Sequence, residues 1–190
     1  VTVNEIKTQI EGKLGLNFDN QKVVDVFNEA MMDLAEVLRL ETRAYADLTQ
    51  SHETVKWPDN MFEPIMVKLD KVGIITQRNI DDNSEGYQIF GGEFHFGDTL
   101  KPPDKCTIWY YRYPEMLTVE DMDEEPDIPK RFRHALKYYF IIQYQQEDEE
   151  LQLEEDYMRK YMTLKMEIDK HTRKQKGMHR TRIARTRAWR

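Results

Sequence analysis

Tyr87-Gln88-Ile89-Phe90-Gly91-Gly92-Glu93-Phe94-His95-Phe96 is the stretch whose reading decides the fold. Its two arms alternate apolar and polar side chains, as a strand with one buried face does, and Gly91-Gly92 suits a two-residue turn that needs positive φ. A β-hairpin is therefore predicted in a chain whose two ends read as helix. Downstream, Cys106-Thr107-Ile108-Trp109-Tyr110-Tyr111-Arg112-Tyr113 predicts another strand, closed by Pro114. Alternation puts Ile108 and Tyr110 on one face and Trp109 and Tyr111 on the other. Upstream, Arg43 to Leu48 alternates weakly, Thr54 to Trp57 reads as a short strand entering a turn at Pro58, and Ile65–Leu69 and Val72–Ile75 are strand candidates. Asp81 to Gly86 and Gly97 to Asp104 read as turns. The expectation is one small antiparallel sheet in which the Tyr87–Phe96 hairpin and the Cys106–Tyr113 strand pair.

Helical periodicity frames this region. Val3, Ile6, Ile10 and Leu14 repeat at helical spacing up to Gly15. Asp19 offers an N-cap to a second helix, with Val23, Phe27, Met31, Leu34 and Leu38 on one face. After an acidic linker from Glu120 to Asp127, Pro129 stands where a helix tolerates its missing N–H. Phe132, Leu136, Tyr139, Phe140 and Gln143 then share a face. Beyond a polar run from Gln143 to Glu150, Leu153, Tyr157, Tyr161, Leu164 and Ile168 align, with Met158, Met162 and Met166 beside them. That stripe is wide enough for two neighbours, one within the subunit and one across an interface, although an entirely intramolecular core fits it equally. The fold class expected is α+β: a mainly α-helical bundle with a small inserted antiparallel β-sheet and an extended basic C-terminal arm. The parts are residues 1–39, 40–118, 119–169 and 170–190.

Charge is divided sharply. Lys170 to Arg190 holds nine of the 28 Lys and Arg and none of the 35 Asp and Glu. With little apolar area to offset its own ordering, such an arm is expected to be mobile alone and to order on a partner. Nucleic acid suits it through counterion release, an acidic protein surface suits it through forked arginine contacts, and a solubilising tail needs no target at all. Gly177 is the expected point of release from the helix.

Few enzyme classes are supported. The five histidines lack metal-ligand spacing, Gly91-Gly92 lacks the Lys-Ser/Thr ending of a phosphate loop, and no nucleophile elbow, dinucleotide fingerprint or calcium loop occurs. Acidic runs at Glu147–Glu150 and Glu154–Asp156 read as wet helix faces, and Asp70 and Asp98 could be cast as nuclease carboxylates only by selection among many. The chain reads as non-enzymatic, with no cofactor and no metal. The aromatics of Trp109–Tyr113 and Tyr138–Phe140 could stack bases, but sparse positive charge nearby makes packing the cheaper explanation. One cysteine, Cys106, excludes an intrachain disulfide framework and suits assembly in a reducing cytosol. No run approaches the roughly 18 uncharged apolar residues of a membrane span, and the N-terminus has no basic-then-apolar region, which argues against export.

In order, Asp25–Ala30, Val55-Lys56-Trp57-Pro58-Asp59, Tyr87–Gly92, Ile108–Pro114 and Asp127-Ile128-Pro129 resemble the head-to-tail adaptor (connector) proteins of tailed bacteriophages, over roughly residues 17–168. The strand Tyr110-Tyr111-Arg112-Tyr113-Pro114 and the Asp-Ile-Pro helix entry carry the resemblance best, while Trp57 and the arginine-rich end depart from it. The resemblance implies a helical bundle with a small inserted sheet. It also implies a homo-oligomeric ring of about twelve copies under the portal, assembled in the host cytoplasm and placed in the virion neck. Its partners would be the portal protein, a stopper or tail-completion protein, and genomic DNA passing through the lumen without sequence-specific binding; no membrane is involved. The portal-docking residues expected are Arg173, Lys174, Lys176, Arg180, Arg182, Ile183, Arg185, Arg187, Trp189 and Arg190. Those expected between subunits are Trp109, Tyr111, Met158, Met162 and Met166. The alternative is a DNA-binding or packaging-associated regulator that uses the basic arm.

Overall fold

The computed structural model describes residues 1–50, 53–78, 86–148 and 151–187, with the backbone alone at 98, 147–148, 151–154 and 174–187. The expected turn at Asp81–Gly86 lies, apart from Gly86, outside the described residues. Two compact units are present, one formed by Val1–Arg39 with Pro114–Arg190, the other by Leu40–Tyr113.

In the first unit, α1 (Val3–Leu14) starts at a capping box in which Thr2 and Glu5 satisfy each other's backbone N–H groups. It ends because Gly15, at φ 70°, takes the left-handed conformation that returns its N–H to the Glu11 carbonyl. Asp19 then caps α2 (Asn20–Leu38), accepting from the N–H groups of Gln21 and Lys22. Val23, Phe27, Ala30, Met31, Leu34 and Leu38 are all buried, so the three-to-four spacing does become a core face. The acidic linker includes a 3-10 turn at Val119–Asp123, and Pro129 precedes another at Lys130–Phe132. α3 (His134–Asp148) buries Ala135, Leu136, Phe140, Ile141 and Ile142, a wider face than one stripe. Phe140 meets Phe18 edge-on at 4.9 Å and Phe27 at 6.2 Å. The polar run from Gln143 does not end this helix before Asp148.

The last helix overturns one expectation. α4 (Leu151–Arg187) is continuous through Gly177, where the chain was expected to leave helical structure as an extended arm. A single glycine costs a helix only about 1 kcal/mol relative to alanine. The Arg, Lys, Gln, Met and Ala around it are good helix formers, so propagation outweighs that cost.

The second unit contains two sheets where one was expected. Strands β1 (Leu40–Leu48), β3 (Met61–Leu69), β4 (Gly73–Ile75) and β7 (Asp104–Arg112) form an antiparallel sheet of order β1-β7-β3-β4. β2 (Thr54–Lys56), β5 (Gln88–Phe90) and β6 (Glu93–His95) form a second, of order β2-β6-β5. The Gly91-Gly92 turn forms as read, with φ of 62° and 78°. The hairpin does not pair with β7, however: β7 has β1 on one side and β3 on the other, so both its edges are taken.

Packing explains the second sheet. Cys106, Ile108 and Tyr110 of β7, with Val67, Leu69, Leu48 and Ile75, form one apolar face, and Phe94 and Tyr87 beside the hairpin cover it, with Val55, Trp57 and Ile89 packed alongside. Trp57 lies nearly parallel to Phe94 at 5.6 Å and donates its indole N–H to the Met61 carbonyl at 2.9 Å. The inner face of β7 is thus covered by the second sheet. Among the described residues the architecture is mixed α+β, with four α-helices and two small antiparallel sheets, the helical content substantial but not clearly dominant.

Ile108→Ala should lower the unfolding free energy measured in urea by about 2 to 4 kcal/mol, because its side chain is fully buried. Gly91→Val should cost about 1 to 2 kcal/mol through backbone strain, as no neighbouring atom crowds the site. Unchanged midpoints in both variants would show that these strands contribute no cooperative core.

Candidate docking surfaces

One face of α4 is fixed to α2 by side chains far apart in sequence. The Tyr161 hydroxyl donates to Asp33 Oδ2 at 2.5 Å, and Lys165 Nζ donates to both Asp33 oxygens at 2.8 and 2.7 Å. Two turns on, the Thr172 hydroxyl reaches the Val37 carbonyl at 2.9 Å. Tyr157, Tyr161 and Ile168 are buried on this face, and Tyr138 and Tyr139 of α3 lie 5.9 and 5.5 Å from the rings of Tyr157 and Tyr161. Burial alone would raise the Asp33 carboxyl, but the Lys165 and Tyr161 hydrogen bonds hold it below its usual value. The same contact, together with burial, pushes the Tyr161 phenol up.

Anchoring that face leaves another in solvent. Met158, Met162 and Met166 stand at successive turns of α4 with 37, 49 and 70 % of their surface exposed. Three methionines in a row on a fixed helix form an adaptable apolar ridge. Further along, Arg173 is exposed and paired with Asp169 at 2.8 Å. Lys174, Lys176, Arg180, Arg182, Ile183, Arg185 and Arg187 are positions on the helical backbone of α4, whereas Trp189 and Arg190 lie outside the described residues.

In the β unit, the register sets the composition of the outer sheet face. Arg43, Trp109 and Met66 stand in one cross-strand row, and Tyr45, Thr107, Lys68 and Ile74 in the next. Trp109 is half-buried there. Tyr111 is not accessible: it is only 3 % exposed and lies over the Phe62 ring at 5.9 Å. Alternation had placed it outward, but the irregularity of β3 between Met61 and Glu63 allows Phe62 to cover it. The structure adds exposed Tyr45 and Ile74 to this face, with the Arg43 guanidinium 5.3 Å from the Tyr45 ring. Weak alternation over β1 was the only sequence signal for Tyr45, and the pairing of β4 with β3 was needed to bring Ile74 beside it. Phe90 is also exposed, next to the hairpin turn.

Among the described residues, no group of three or more His, Cys, Asp or Glu is placed to hold a metal ion, and no helix is long and apolar enough to cross a membrane. Cys106 is buried, and burial, with the nearby Asp104 charge, pushes its thiol up to about 12. The chain belongs to the SU10 adaptor protein family, whose model matches residues 1–187. It is therefore a structural adaptor of the virion, linking capsid and tail. No curated protein matches the chain.

Tyr161→Phe should reduce stability by about 1 kcal/mol, since the partner carboxylate is partly solvated. Because the folded Asp33 carboxyl lies below its unfolded value, its contribution is present above about pH 4 and disappears as pH falls through the folded value. Urea midpoints of wild type and variant should accordingly converge on acidification, and a gap that does not narrow would remove Asp33 as the acceptor. A maleimide at pH 8 should label Cys106 only as fast as the β unit opens; rapid labelling of the folded chain would contradict its burial.

Proposed function

We propose that about twelve copies of this chain, assembled in the host cytoplasm, close into a ring between the portal and a stopper or tail-completion protein, with genomic DNA passing through the lumen. The observation that carries this reading is the division of one helix into two contact regions. α4 exposes Met158, Met162 and Met166 beside the face anchored to α2, then continues as helix through the basic segment that begins at Lys170 and holds no Asp or Glu. Identical subunits in a closed ring need two different patches that meet around the circle. Methionine and aromatic surfaces are enriched in such contacts. The ridge and the Trp109 face are candidates for such contacts among the described residues.

The basic end is assigned to the portal. From 174 to 187 the helix is about 20 Å long at 1.5 Å per residue. A segment already helical gives up less conformational entropy on docking than an arm that must fold on contact. Its arginines suit forked hydrogen bonds to carboxylates, and Ile183 and Trp189 add apolar groups that a protein groove can also use. The remainder of the chain carries 35 acidic residues, and like charge along a passage suppresses adhesion of the DNA that slides through it.

Removal of residues 174–190 is expected to abolish incorporation into portal-bearing, DNA-free heads at physiological salt while leaving the urea midpoint of the β unit unchanged. Normal incorporation of the truncated chain would overturn the portal assignment. Incorporation of the full chain that depends on packaged DNA would place the basic segment on DNA instead.

A further inference from the structure

Among the exposed apolar side chains of the described residues, two groups, one on each unit, differ in kind. The first is the ridge of Met158, Met162 and Met166 on α4. The second is the outer face of the four-stranded sheet, where Tyr45 and Ile74 are 66 and 45 % exposed and Trp109 and Met66 are half-buried. Resting on the ring proposed above, we propose that these two surfaces are each other's partners between neighbouring copies: the methionine ridge of one subunit lies across the Tyr45, Trp109, Met66 and Ile74 face of the next.

Symmetry requires a pair of this type. A ridge meeting another ridge would be an isologous contact and would close as a two-fold dimer, whereas a ring needs one surface to meet a different one. Dimensions agree. Met158 to Met166 spans eight residues, about 12 Å of helix. Trp109 and Ile74 are two strands and two residues apart in the register, which at ordinary strand spacings is also about 12 Å. The ridge can therefore run along the diagonal of the patch with a methionine near each end.

Chemistry agrees as well. Unbranched methionines adapt to an uneven surface, and their sulfur atoms make favourable contacts with aromatic rings, which Tyr45 and Trp109 supply. Glu155 stands one turn before the ridge and is exposed, while Arg43 lies beside Trp109 on the sheet. That placement offers a complementary charge at the rim, where it fixes orientation more than affinity. Lys68, in the sheet row between Thr107 and Ile74, already pairs with Asp70 at 3.0 Å, so the face brings no unpaired charge into the contact.

The test uses two singly substituted chains, Met162→Cys and Thr107→Cys, given different tags and assembled together into particles. Thr107 sits in the sheet row between Tyr45 and Lys68. A bis-maleimide linker of about 10 Å, shorter than the patch itself, is then added; Cys106 is buried and does not compete. The expected product is a dimer containing one chain of each kind, with neither variant linking to itself. Met162→Cys linking to itself would overturn the proposal in favour of a two-fold contact. In the doubly substituted chain, linkage confined to single chains would overturn it in favour of a contact within one subunit. As a second measurement, Met162→Glu should reduce incorporation into particles about tenfold, and adding Thr107→Lys should restore it. Particles that show the adaptor layer by electron microscopy yet give neither cross-link nor restoration would overturn this pairing and leave the ring intact. Particles without the layer would overturn the ring and this pairing together.

Discussion

The helical unit depends on closing a chain that leaves at Arg39 and returns only at Pro114. Two contacts made by α2 accomplish this. Asn28 donates its side-chain amide to the Leu117 carbonyl at 3.0 Å and accepts the Leu117 N–H at 2.8 Å, so one side chain satisfies both backbone groups of the returning segment. Farther along the same helix, Asp33 receives Tyr161 and Lys165. Because these partners are about 90 and 130 positions away in sequence, their loop-closure entropy must be offset by the apolar face of α2, whose Phe27, Met31 and Leu34 are wholly buried. Arg133 secures the entry to α3 in a related way. It is buried, donates to the Ile128 carbonyl, and pairs with Glu125 at 2.9 Å. The hydrogen bonds from Arg133 hold the Glu125 carboxyl below its usual value.

The ridge on α4 is a consequence of that closure. Once Tyr161, Lys165 and Thr172 fix the rotation of the helix against α2, Met158, Met162 and Met166, about a third of a turn away, are left partly exposed to water. Methionine is well suited to such a position, since it is apolar enough to reward contact and flexible enough not to demand one shape. In the β unit the corresponding constraint is the central place of β7. Hydrogen bonded along both edges, it cannot slip by one residue without exposing Cys106, Ile108 and Tyr110 and burying Thr107 and Trp109.

Local signals were legible where the physics is local. The bounds of α1 and α2 could be read from Val3, Gly15 and Asp19, because helix caps act through groups only a few bonds away. The hairpin turn was legible because two adjacent glycines meet a backbone requirement. The methionine ridge was legible as a stripe adjoining the buried one. Tyr111 was misassigned because alternation says which face a side chain leaves by, and not what covers it; Phe62 does so from a different strand. The extended arm was misread because high charge and one glycine were weighed against order, while the helix propensity of the residues between them was given too little weight.

The sequence by itself determined the mixed α+β character, the two N-terminal helices, the turn at Gly91-Gly92, the segregation of charge and the lack of catalytic motifs. Each depends on composition, periodicity or the chemistry of near neighbours. Only the tertiary structure decided that the strands divide into two sheets, that β7 is central, that Tyr111 is covered, and that Tyr45 and Ile74 join Trp109 on one surface. Those outcomes are set by pairing between segments tens of residues apart, where several registers satisfy the same alternation. The choice among them falls to the arrangement that buries Phe94, Ile108 and Leu69 together, a many-body packing energy that no single stretch of sequence contains.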